Sequence, residues 1–260
     1  MRIQRLQIIL FLNLMVLGTH GQVSKSEIQL FNGKNFSGWY TFIKGRGKNI
    51  DPKKVFSIRG NNLVISGEEF GCVTTIDTFS NYTLTVEWKW GGKTFAPRKS
   101  RARDSGILLN SIGSDGGSDS TWMYSIECQI IEGGTGDILV VGDGSENFSA
   151  STTAAGIKQA GSYVFDPRGD TITINQGRIN WRYRSPRWTD VKSFRGSNDY
   201  ENAVGKWNLL ECVVRGSDIS CFLNGKLVNH AFHVRPVSGK IQIQSEGAEI
   251  IFRRIELKRD

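Results

Sequence analysis

Beyond its N-terminal stretch, the sequence has no second long apolar run, no linker, no internal repeat and no low-complexity tract. This excludes further membrane spans and arrays of domains, and leaves one domain's worth of chain. Helical periodicity is almost absent, which excludes bundles and doubly wound α/β folds. No Cys-x-x-Cys pair occurs, and of the 3 histidines only His230 and His233 lie outside the N-terminal stretch. Metal ligation by the cysteines is therefore not expected. The two histidines have no carboxylate motif beside them and read as structural. Dense basic tracts are also missing. The formal charge of +8 is scattered, apart from Arg98–Arg103 and Arg178–Arg195. Both read as solvated faces and not as a phosphate-tracking groove, so no nucleic-acid partner is expected.

The apolar run that does exist is N-terminal. Arg2 and Arg5 precede Ile8–Leu17, and Thr19-His20-Gly21 offers small residues where a signal peptidase reads. Residues 1–21 are expected to be an export signal, with the mature chain starting at Gln22 and its formal charge falling from +8 to +6. The run is short for a membrane span. The expectation is an exported protein, periplasmic or extracellular, without stable membrane insertion. Asn35, Asn81 and Asn147 each open a glycosylation sequon, which matters only in a eukaryotic secretory pathway.

Residues 22–260 read as one all-β domain of short alternating runs bounded by Gly, Asn and Asp. Leu84, Val86, Trp88 and Trp90 fall on one face of a strand, and Ile219–Leu223 turns at Asn224-Gly225 into Lys226–Val228. Ile241 and Ile243 alternate with Gln242 and Gln244, and Ile250–Leu257 supplies a final strand. Two packed antiparallel sheets follow, a lectin-like jelly-roll sandwich. Lys93–Asp104 and Tyr163–Val204 break the pattern and read as long functional loops. Cys212 and Cys221 face each other if Gly216-Ser217 is a two-residue turn, either bridged or as buried free thiols. The Asp-rich run Gly113–Asp119 lacks regular calcium-loop spacing and reads as a turn.

Trp122–Gly144 carries the most chemistry. Ile126, Cys128 and Ile130 point one way along a strand, and Glu127 and Gln129 the other. A β-bulge near Ile130-Ile131 would return Glu132 to the face of Glu127. Glu127, Gln129 and Glu132 then form a catalytic candidate, two carboxyls with an amide between them, suited to glycosidic cleavage. Gly133-Gly134-Thr135-Gly136 would let backbone approach a ligand. Gln242, Gln244 and Glu246 form a second polar row able to meet sugar hydroxyls. Asp104, Asp137, Gln244 and Glu246 join the substrate-binding candidates. Trp122, Trp181 and Trp188 are offered as stacking platforms for pyranose faces, with Trp122 and Trp188, flanked by polar residues, preferred over Trp88 or Trp90.

These segments resemble the 3-keto-disaccharide hydrolase domain family. The resemblance runs in order through L-F-N-G-K-N-F-S-G-W at Leu30–Trp39, D-S-G-I at Asp104–Ile107, I-E-C-Q-I-I-E-G-G-T-G-D at Ile126–Asp137, L-N-G-K at Leu223–Lys226 and Q-S-E-G-A-E-I-I-F-R-R-I at Gln244–Ile255. It implies a concanavalin-like jelly roll acting on glycosides oxidised at C3. A C3 ketone acidifies the C2 proton, so Glu127 or Glu132 would remove it and expel the C1 substituent, with hydration completing a net hydrolysis. A divalent cation or a donor such as Gln129 would stabilise the enolate. The spacing is also similar to the Glu-x-Asp-x-x-Glu motif of laminarinase-type glycosidases, with Gln129 in place of the central Asp. Three readings stand: a 3-keto-glycoside hydrolase or lyase, a conventional endo-glycosidase using Glu127 and Glu132, and a non-catalytic carbohydrate-binding module. The partner in each is an oligosaccharide or glycoside; oligomeric state is left open.

Overall fold

The computed structural model describes residues 27–259. The export signal and the expected start at Gln22 lie outside the described residues. Two sheets hold 19 strands, with no helix among the described residues. The first sheet runs, in spatial order, β13 (Asp170–Ile174), β11 (Ser149–Ala154), β17 (Lys226–Arg235), β16 (Asp218–Leu223), β15 (Asn208–Arg215), β7 (Tyr82–Thr94), β19 (Ala248–Arg259), β5 (Asn62–Ile65) and β4 (Phe56–Arg59), with β1 (Glu27–Gln29) on β19. The second runs β12 (Tyr163–Val164), β14 (Gly177–Asn180), β10 (Ile138–Val141), β9 (Tyr124–Ile131), β8 (Asp104–Ile112), β18 (Lys240–Ser245), β6 (Gly71–Thr75), β2 (Trp39–Ile43) and β3 (Gly47–Lys48).

The expected jelly-roll sandwich is observed, with one departure: β12 pairs with β14 in parallel, and every other strand pair is antiparallel. Alternation builds the core. On β7 the side chains of Leu84, Val86, Trp88 and Trp90 are buried while Thr85, Glu87 and Lys89 are only partly covered. Ile126, Cys128 and Ile130 from β9 and Ile241 and Ile243 from β18 meet them from the second sheet in one cluster. Each large apolar side chain so enclosed stabilises the fold by roughly 1.5–3 kcal/mol relative to exposure.

Both expected hairpin turns are present. Arg215 pairs with Asp218 across Gly216-Ser217, placing Cys212 opposite Cys221, and Leu223 pairs with Lys226 across Asn224-Gly225. Asn224 and Gly225 both adopt positive φ, as a two-residue hairpin loop of this hand requires. All four cysteines are free and buried. The stretch 163–204 is less of a loop than its composition suggests, because β12, β13 and β14 occupy its first half. Residues 181–207 form no strand and reach both sheets, Ser193 donating to Glu132 just past β9 and Glu201 accepting from Trp90 of β7.

Candidate functional site

Register across the second sheet assembles the site. On the face turned away from the core, one row runs Gln242 (β18), Leu108 (β8), Glu127 (β9), Leu139 (β10) and Arg178 (β14). In the next row Gln129 pairs with Gly106, and Gln244 flanks that glycine from β18. Neighbours in such rows sit about 5 Å apart, within reach of one another's polar ends. Gly106 has no side chain, and the space above it is filled by Glu127 Oε1 and Gln244 Oε1, where any Cβ would collide. Asp104, at the start of β8, accepts a hydrogen bond from Gln129 Nε2 at 3.0 Å through its Oδ1.

Arginines close this floor. Arg98, from the loop between β7 and β8, pairs with Asp104, with Glu246 at 3.0 Å and with Asp190 at 3.2 Å. Asp137 pairs with Arg178 at 2.8 Å and with Arg184, while its Oδ1 accepts the backbone N–H of Trp181 at 2.7 Å. Asp137 thereby fixes Arg178, whose charge acts on Asp104, Glu127 and Glu246. The layer is tightly enclosed: Glu127 is 3% exposed and Gln129 4%.

Enclosure sets the protonation. Burial, then the negative charges of Glu246 and Asp104, push the Glu127 carboxyl well above the usual carboxylate range, against the pull of Arg178. Burial and Glu246 raise Asp104 likewise, and burial raises Glu246 despite Arg98. Three oxygens here have no hydrogen-bond partner: Glu127 Oε1, Gln129 Oε1 and Gln244 Oε1. Orphaned buried acceptors are costly, and all three call for a donor: a proton on Glu127 or a sugar hydroxyl. Arg98 already pairs with Asp104 and Glu246, and the charge of Arg178 acts on Glu127, so these acids do not fit the expected divalent cation.

Residues 26–258 match the 3-keto-alpha-glucoside-1,2-lyase-like domain. The chain belongs to that family. It therefore carries a carbohydrate-active domain of the glycosyl-hydrolase-like kind. Among solved structures, two crystal structures of putative glycosyl hydrolases from Parabacteroides distasonis ATCC 8503 share the fold. Each has 17% identity and a TM-score of 0.52 over 90% of this chain, covering 94% and 100% of the other chains. No curated protein matches this chain.

Within this lyase-like domain, Glu127, Gln129, Asp104, Gln244 and Glu246 lie together at the outer face of the second sheet. Glu132 does not. Pairing between β8 and β9 is unbroken from Asp104–Ile131 to Leu109–Ile126, so the expected bulge is absent. Glu132 lies just past β9 and is held by Arg103 Nη1 at 2.5 Å and by the backbone N–H groups of Arg103 and Ser193, each at 2.9 Å. Its charge acts on Asp199 and Glu201. The candidate pair of carboxyls is therefore Glu127 with Asp104 or Glu246.

Other expectations also change. Gln242 shares the face but is fully committed, its Oε1 accepting the Met123 N–H and its Nε2 donating to Cys72 and Thr74. The glycines after Glu132 admit protein instead of ligand: a side chain at Gly133 would meet Trp188 and Phe194, and one at Gly136 would meet Val228. Trp188 is occupied on one face by the Arg184 guanidinium, 3.9 Å from its ring centre, and its Nε1 donates to the Glu132 carbonyl. Trp181 is core. Trp122 packs with Leu108, Cys72 and Phe70 beside the Glu127 row, 8% exposed, so it walls the site and offers no open platform. The Asp-rich turn Gly113–Asp119 gives Asp115 to the Tyr40 hydroxyl.

The basic runs are the largest departure. Arg98, Arg103 and Arg184 are not solvated: their side chains are 12%, 6% and 4% exposed, each in an ion pair. Arg98 and Arg178 are the site residues the sequence analysis missed. Composition marks them only as basic. The available signal was the strand parity that sets Arg178 two strands from Glu127 on the same row.

Proposed function

We propose that this domain cleaves 3-keto-glycosides by elimination, with Glu127 as the proton-transferring carboxyl. The carrying observation is Glu127 itself, a buried carboxyl with an unpartnered oxygen, flanked by the amides of Gln129 and Gln244 and faced by Arg178. The ionised Glu127 takes the C2 proton, and the C2–H electrons form an enolate with the C3 ketone. The enolate then expels the C1 oxygen substituent, leaving a C1=C2 double bond, and the leaving group gains a proton. Water added across that bond completes a net hydrolysis. Arg178 and Gln129 stabilise negative charge developing on the ketone oxygen, and a carboxyl held at raised pKa is a strong base once ionised.

Incubating the purified protein with 3-keto-glucosides and with their unoxidised parents tests this. Turnover of the keto substrates supports it; turnover of the parents alone contradicts it. Close cover over Glu127 favours a second reading, a binding module whose polar layer organises the sheet. That reading predicts saturable glycan binding without product, and binding that survives Glu127→Gln. A two-glutamate endo-glycosidase using Glu132 loses its support, because Glu132 is bound to Arg103 and Ser193.

A further inference from the structure

On the opposite face of β9 from Glu127, the core contains a second cluster that the carbohydrate chemistry does not use. Cys128 points inward from the second sheet and meets Cys212 of β15 and Cys221 of β16 from the first. The three Sγ atoms all lie within 4.8 Å of one another, and all three residues are buried. Cys212 and Cys221 are direct cross-strand partners. Their neighbours on the same faces, Ile126 and Ile130, Leu210 and Val214, and Ile219 and Leu223, are apolar and buried. The sulfurs' side-chain hydrogen bonds run only to each other.

We propose that Cys128, Cys212 and Cys221 form a trigonal site for a soft monovalent cation, copper(I). Three cysteine sulfurs are a soft donor set, of the kind taken by copper(I) and zinc. An ion about 2.3 Å from each sulfur, the usual thiolate distance for a metal of this size, needs sulfurs about 4 Å apart. The bound of 4.8 Å on the observed separations accommodates such a triangle. Coordination number decides between metals: structural zinc is almost always four-coordinate, and three converging sulfurs suit a three-coordinate copper(I) instead. Binding releases thiol protons to solvent and needs no oxidant or reductant when copper arrives as copper(I). The site closes between the sheets, so the ion is loaded as the chain folds. Absence of a Cys-x-x-Cys motif is no obstacle, since three separate strands supply the ligands.

The test is to refold the full chain anaerobically with copper(I) held by a competing chelator, then measure copper per chain and thermal stability. The expected result is one copper per chain, three sulfur neighbours by X-ray absorption, and a raised Tm. Cys128→Ala and, independently, Cys221→Ala should each lower retained copper at least tenfold. Cys72→Ala removes the one cysteine outside the cluster and should retain it. Circular dichroism of each copper-free variant reports whether it folds, and either cluster variant that folds suffices. Wild type that retains no copper, retention unchanged by loss of Cys128 or Cys221, or a Cys212–Cys221 disulfide in protein kept under reductant would each overturn the proposal.

Discussion

A carboxyl enclosed among other acids holds its proton, and Glu127 is such a group. Replacing it with Gln keeps the shape and removes the titration. Turnover of a 3-keto-glycoside by Glu127→Gln is expected to fall by roughly 10²- to 10⁴-fold, the usual contribution of a positioned proton-transfer group, with the fold intact by circular dichroism. The wild-type pH–rate profile for kcat/KM should rise with pH through a limb above the ordinary carboxylate range, because the base must be ionised and burial opposes that. Glu201 offers a cleaner stability test away from the site. It is fully buried, accepts the Trp90 Nε1–H at 2.8 Å, and is raised to about 8 by burial and then by Asp199. The Thr135 hydroxyl lies 3.0 Å from Glu201 Oε2 and 3.2 Å from the Ile131 carbonyl, so its single proton serves only one of them, and a protonated Glu201 supplies the other bond. The folded state keeps this proton where the unfolded chain has released it. Its stabilisation is full below 4.5 and declines as pH rises toward about 8. Each unit of the raised pKa is worth about 1.4 kcal/mol. Denaturant titrations from pH 4 to 9 should therefore show a smaller loss of stability with pH in Glu201→Gln than in wild type.

At the scale of elements, much of the site was legible because strand parity is strict. Ile126, Cys128 and Ile130 identify the core face of β9, which forces Glu127 and Gln129 outward, and Ile241 and Ile243 do the same for Gln244 on β18. Beyond the strand ends parity no longer applies. Glu132, one residue past β9, was placed by supposing a bulge, yet its position is set by Arg103 and Ser193, which are distant in sequence. Buried arginines were illegible for a related reason: a guanidinium reads as solvated unless its carboxylate partner is known, and Arg98, Arg103 and Arg184 find theirs only through the fold. Arg103→Ala should strand the buried Glu132 carboxylate and cost about 3–5 kcal/mol by chemical denaturation, loosening residues 188–194. Gly106→Ala should act differently. Its methyl group would displace Glu127 Oε1 and Gln244 Oε1, so turnover should fall severely for a stability cost of about 1–3 kcal/mol, the usual range for overpacking.

The whole molecule separates two chemistries by one sheet. Hard oxygen donors and arginines occupy the outer face of β8, β9 and β18, while soft sulfur and apolar side chains occupy the inner face, and Glu127 and Cys128 are adjacent residues pointing opposite ways. The sandwich was readable from alternation and turn dipeptides alone. Contacts between the sheets, including the meeting of three cysteines from β9, β15 and β16, depend on packing that no local pattern encodes.

On the proposed mechanism Glu127 removes the C2 proton of a 3-keto-glycoside. Running the reaction in deuterated water and following C2 by NMR tests it most directly. Wild type should lose the C2 proton, giving an unsaturated product or deuterium at C2 after hydration, and Glu127→Gln should do neither. A cleaved product that keeps its original C2 proton would contradict the account.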